Sequence, residues 1–155
     1  MATDLTRIGE KACREPELVF TSLYHHICDV DNLRACYDAL KAHKAVGVDG
    51  VTKEEYGRDL EANLQDLSSR LKRMGYRPGP KRRSYIPKPG SAKGRPLGIS
   101  NFEDKIVEAA TKRTLEPIYE AVFEESSYGY RPGSNQHKCL DALGRTIQQQ
   151  KVSHI

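Results

Sequence analysis

Residues 81–100, KRRSYIPKPGSAKGRPLGIS, hold three prolines, three glycines and no acid. Proline lacks an N–H and has a fixed φ, so this stretch is unsuited to a helix interior. Tyr85-Ile86 and Leu97-Gly98-Ile99 are short β-type runs, and Pro87 and Pro96 confine them to edge positions. KPGSAKG between them supplies turn residues. The segment predicts a short antiparallel hairpin with a basic, glycine-containing tip.

On both sides the apolar spacing is helical. Upstream, Thr52 and Glu55 form a T-x-x-E capping box. Tyr56, Leu60, Leu64, Leu67, Leu71 and Met74 follow on one face, and Gly75 is placed to end that helix. Earlier, Leu18, Val19, Leu23 and Ile27 predict a helix over about 16–28, after a polar segment over 1–15 that is expected to be loose at its start. Asp29 or Asp31 is placed to cap a helix carrying Leu33, Cys36, Tyr37 and Leu40. Asp49-Gly50, within KAVGVDGVT, is a turn signal. Downstream, Ser100 and Glu103 repeat the box as S-x-x-E. Phe102, Ile106, Ala110, Ile118 and Val122 recur behind it, with Pro117 expected to kink or break the helix. After the turn-rich SSYGYRPGS, Ser134 is placed to cap a last helix with Cys139, Leu140, Leu143 and Ile147. The closing KVSHI reads as the start of a strand. The expected fold class is α+β, helix-rich, with a small antiparallel sheet carrying the basic hairpin.

The charge is unevenly spread. Net charge is only +4, yet ten of the 25 Lys and Arg fall within 70–95, where there is no Asp or Glu. The remainder of the chain is therefore net negative, and a basic band on an acidic body points to a polyanion partner over a merely solvated loop. No apolar run approaches the ~20 residues of a membrane span. The N-terminus has no signal-peptide core, so reduced cysteines and a cytoplasmic location are expected. Cys13, Cys28, Cys36 and Cys139 have no paired close spacing.

Lys88, Lys93 and Arg95 flank a tip where glycine lets backbone approach a ligand, and Arg82 and Arg83 extend the charge along one strand. Such a strip suits a nucleic-acid backbone or a triphosphate. No Walker motif is present. Tyr128 and Tyr130 suit base stacking and Arg131 a phosphate, although local chemistry alone favours a packing role for the two tyrosines. His25, His26 and Cys28 lack a second ligand pair for zinc. Asp49 reads as a turn aspartate, and no acidic cluster resembles a two-metal site.

IPKPG (86–90), RPLGIS (95–100), LEPIYEAVF (115–123) and SYGYRPG (127–133) stand in the order and spacing of one family. Together they resemble the reverse transcriptases, or maturases, encoded by group II introns. GVDG with the leucine helix and YRPGPKRRSYIPKP is similar to that family's N-terminal extension leading into its fingers. The resemblance implies a helical N-terminal extension over 1–75 and a fingers subdomain over 76–155, part of the reverse-transcriptase fold. It implies that Lys88 and Arg95, assisted by Lys93, meet the nucleoside triphosphate, with Arg131 near nucleotide or template. Arg77, Lys81, Arg82, Arg83, Tyr128 and Tyr130 are the implied RNA contacts, to template or intron RNA.

The family's catalytic aspartates would follow Ile155. The resemblance therefore implies an RNA-directed DNA polymerase as parent, with Mg2+ and dNTP used by the full enzyme, and a fragment with no cofactor and no polymerisation of its own. The alternative expectation is a protein-interaction module that forms a homodimer through exposed fingers surface. An independent nucleotide-binding enzyme ranks last, having no identified metal ligands or nucleophile.

Overall fold

The structure is a computed structural model and describes residues 5–90 and 93–149. Seven helices and one hairpin are described: α1 Leu5–Arg14, α2 Tyr24–Ile27, α3 Val30–Ala39, α4 Lys53–Gly57, α5 Leu60–Lys72, β1 Arg82–Ile86, β2 Arg95–Ile99, α6 Phe102–Val122 and α7 Gln136–Gln149. The helix-rich α+β expectation holds, with one two-stranded antiparallel sheet among the described residues. No described helix is long and apolar enough to cross a membrane.

One apolar cluster joins α3, α5 and α6. Leu33, Leu64, Leu67 and Ile106 are fully buried there, beside Cys28, Cys36, Leu71, Phe102 and Ala110. The α5 leucines thus face the core, as their spacing predicts. The cysteines form no disulfide, and burial pushes the Cys28 and Cys36 thiols up, keeping them neutral.

Several local expectations are corrected. Residues 5–14 form a helix that the local pattern does not predict, and α1 packs along α6 with Leu5 and Ala12 buried. The approach is tight: a Cβ on Gly9 would lie 3.1 Å from the Pro117 Cβ. The helix predicted over 16–28 shrinks to Tyr24–Ile27, and Val19 is exposed. Tyr24 Oη instead donates to the Leu71 carbonyl at 3.0 Å, anchoring this segment to the end of α5.

The Thr52–Glu55 capping box forms with both reciprocal bonds. Its helix nevertheless breaks after Gly57, where a Cβ would overlap the Tyr37 hydroxyl. Asn63 Nδ2 donates to the Tyr56 carbonyl at 2.9 Å, satisfying an acceptor at the break. At the end of α5 it is Met74 that is left-handed, with φ 57, and not Gly75. The Met74 N–H reaches the Leu71 carbonyl and the Gly75 N–H the Arg70 carbonyl, both at 2.8 Å, which is a Schellman pattern.

The S-x-x-E box at Ser100 does not form. Asn101 occupies the N-cap, Ser100 Oγ donates to Glu108, and Glu103 is taken by Arg70. Helix α6 runs through Pro117 to Val122 without ending. At α7 the capping side chain is Asn135, whose Oδ1 accepts the Lys138 N–H at 3.0 Å, in place of Ser134. The strand expected at 151–155 lies outside the described residues.

Candidate nucleic-acid interface

The register pairs Arg82 with Ile99, Ser84 with Leu97 and Ile86 with Arg95. Side chains alternate across a strand, so Arg82, Ser84, Ile86, Arg95, Leu97 and Ile99 share one face. Arg83 and Tyr85 lie on the other, opposite Gly98 and Pro96. Tyr85, Ile86 and Leu97 are exposed. A hairpin open on both faces has little core of its own and depends on its attachments.

Those attachments are concentrated at its base. Tyr76 Oη donates to Asp104, whose carboxylate also accepts the Gly79 N–H at 3.1 Å. Arg70 grips Glu103 through two bonds of 2.9 and 2.7 Å and Asp66 through a third of 2.6 Å. Lys81 reaches Glu108 at 3.2 Å. Burial, followed by the neighbouring carboxylates, pushes the Tyr56 and Tyr76 phenols well up, so both remain protonated donors.

The 45–49 loop is tied to the same base. Arg82 Nε donates to the Val46 carbonyl at 2.9 Å and Lys105 Nζ to the Ala45 carbonyl at 2.6 Å. Asn101 Oδ1 accepts the Val48 N–H at 2.9 Å. The Asn101 side chain lies between Gly47 and Gly79, and a Cβ on either glycine would overlap it. Asn101 and Lys105 escape sequence reasoning because each acts on backbone more than fifty residues away. The turn aspartate behaves as expected: Gly50 has φ 71 and Asp49 Oδ1 accepts the Val51 N–H at 3.2 Å.

Eight of the ten bases of 70–95 divide by attachment. Arg70 and Lys81 are paired with carboxylates, Arg82 with a carbonyl, and Arg77 with the Met74 and Tyr76 carbonyls at 3.1 and 2.9 Å. Arg83, Lys88 and Arg95 are exposed and have no hydrogen-bond or ion-pair partner among the described residues. Lys93 is exposed near the tip.

The second predicted group stands apart. The 127–133 turn follows α6, whereas the hairpin precedes it, and the 21 residues of α6 span about 30 Å. Arg131 is largely buried and donates to Glu120 at 3.0 Å and to the Glu124 and Ser127 carbonyls at 3.0 and 3.2 Å. Tyr128 is half-buried, while Tyr130 is fully exposed with φ 59. Among the described residues no three His, Cys, Asp or Glu side chains converge on a metal site.

No protein-family model matches the chain. Group II intron-encoded protein LtrA from Lactococcus lactis subsp. cremoris is 36% identical over 141 residues, which is 91% of this chain and 24% of that relative. By sequence, the chain belongs with the group II intron-encoded proteins. Protein YkfC of Escherichia coli (strain K12) is 42% identical over 104 residues, 67% of this chain and 26% of that protein. Nuclear intron maturase 2, mitochondrial, of Arabidopsis thaliana is 41% identical over 46 residues, 30% of this chain and 6% of that protein. The chain therefore spans about a quarter of the length of the first two relatives.

Proposed function

We propose that this chain is the RNA-gripping part of a group II intron-encoded reverse transcriptase, with 1–75 as N-terminal extension and 76–155 as fingers. The observation that carries the reading is the set of unpartnered cations, Arg83, Lys88 and Arg95, on a hairpin open to solvent. Charges held without a carboxylate partner retain their attraction for phosphate oxygens, and arginine presents a planar fork to them. Arg83 serves RNA; Lys88 and Arg95, with Lys93, serve the triphosphate of an incoming nucleotide in the complete enzyme. Arg77, Lys81 and Arg82 contribute potential while acting as braces. Arg131 reaches a phosphate only by giving up Glu120, so it is secondary in this proposal, whereas exposed Tyr130 offers a ring for stacking.

The test is RNA affinity against salt for an Arg83→Gln variant. Removing one cation from a phosphate lowers the log–log salt slope by roughly one unit. Unaltered affinity and slope would reject the hairpin as the interface.

One observation favours a second reading, self-association. No described residue of α7 is buried, and Leu140, Leu143 and Ile147 are exposed. An apolar stripe of this kind marks a contact surface. Light scattering across a concentration series discriminates: a mass that stays monomeric at every concentration counts against it.

A further inference from the structure

We propose that Arg131 is a positioning residue, a latch that holds the corner between α6 and α7, rather than a phosphate ligand. Arginine carries five N–H donors in a planar fork. Nε donates to Glu120 Oε1 and Oε2 at 3.3 and 3.2 Å, and Nη2 to Oε2 at 3.0 Å. Nη1 donates to the Glu124 carbonyl at 3.0 Å and to the Ser127 carbonyl at 3.2 Å. The edge that would grip a phosphate through two parallel bonds is therefore taken by Glu120, and Nη1 is committed to backbone. The guanidinium carbon lies 5.2 Å from the centre of the Phe123 ring, which in turn stacks on Tyr119 at 5.8 Å. Only 17% of the Arg131 side chain is exposed.

The end of α6 explains why a latch is needed there. Its last turn holds no Lys or Arg, and Glu120 places a negative charge where the helix dipole is already negative. Arg131 supplies the missing cation from the far side of the turn. Its own carbonyl accepts the Ser134 N–H at 3.2 Å, so one residue ties both ends of the turn. Between these ties Tyr130 holds a left-handed φ of 59, a conformation that persists in a residue with a Cβ only when its surroundings impose it. The Tyr130 ring lines two clefts, one with Tyr119 and Phe123 of α6, the other with Tyr128 and with Leu140 of α7. No described residue of α7 is buried, so its direction is set by the corner that leads into it. Arg131 thus fixes both the departure of α7 and the outward ring of Tyr130. The first effect is independent of RNA; the second deepens the stacking role proposed for Tyr130 and rests on it.

The experiment compares the wild-type chain with Arg131→Gln, Arg131→Lys and Glu120→Ala, and adds Tyr130→Ala and Arg131→Gln/Tyr130→Ala to close a double-mutant cycle. Amide hydrogen exchange is measured first, and RNA affinity against salt second. Exchange over 123–134 should quicken by about tenfold or more in Arg131→Gln and in Glu120→Ala, the scale expected for losing hydrogen bonds to a charged group. Amides of α3 and α5 should keep their protection. Arg131→Lys should not restore the turn, because an ammonium cannot reproduce the fork. With RNA, Arg131→Gln should leave the salt slope unchanged and weaken binding no further once Tyr130 is Ala, as for a residue acting through its neighbour. Unaltered exchange over 123–134 in both Arg131→Gln and Glu120→Ala overturns the latch. A slope lowered by roughly one in Arg131→Gln, with exchange unaltered, makes Arg131 a phosphate ligand and overturns it too. Wild-type RNA affinity in Tyr130→Ala rejects the stacking role, whereas the exchange data still support or overturn the latch.

Discussion

At the residue scale, Asn101 ties three segments together. It occupies the N-cap of α6, accepts from the 45–49 loop and fills the space left by Gly47 and Gly79. Replacing it with Ala removes an exposed hydrogen bond and leaves a void beside two glycines. A loss of about 1 kcal/mol is expected by chemical denaturation. Faster exchange of the Val48 amide is the local signature. A second residue-scale prediction concerns alkaline pH. Burial and Asp104 raise the Tyr76 phenol above its unfolded value near 10. The folded state therefore retains its proton where the unfolded state has released it. That contribution to stability is complete below about pH 10 and declines as pH rises toward the folded value. Tyr76→Phe should remove this part of the decline, seen as a shallower loss of stability above pH 10 than in wild type.

At the element scale, legibility follows the range of the interactions. The hairpin is readable because prolines and glycines act on their own backbone. The Thr52–Glu55 box is readable because both partners lie within one turn. The matching pattern at Ser100–Glu103 fails because Arg70, thirty-three residues away, offers Glu103 two charge-assisted bonds. Helix α1 escapes a local reading because its partner, Pro117, lies on α6 in the far half of the chain. The unpartnered cations are visible as residue types, but their freedom, and the bracing role of Arg82 and Lys81, depends on carbonyls and carboxylates that only folding brings near. The local cap and the long-range packing of α1 can each be tested. Thr52→Ala should cost about 1 kcal/mol, a typical loss for an N-cap, read from thermal or urea unfolding. Gly9→Val should drive a branched side chain into Pro117 and release α1, exposing 5–14 to limited proteolysis while the α3–α5–α6 core remains folded.

At the scale of the whole molecule, one apolar cluster supports a base of ion pairs and hydrogen bonds, and that base presents a hairpin whose own apolar and cationic side chains face solvent. The core thus serves to position a surface. The central claim is that this surface binds RNA through phosphate contacts. Its most direct test is fluorescence anisotropy of the purified chain with a structured RNA, and with a double-stranded DNA of equal length, across a salt series. The expected result is RNA binding whose logarithm falls linearly with the logarithm of salt, with a slope of at least about two for the cations available. RNA binding absent at low salt, or present but insensitive to salt, would contradict it.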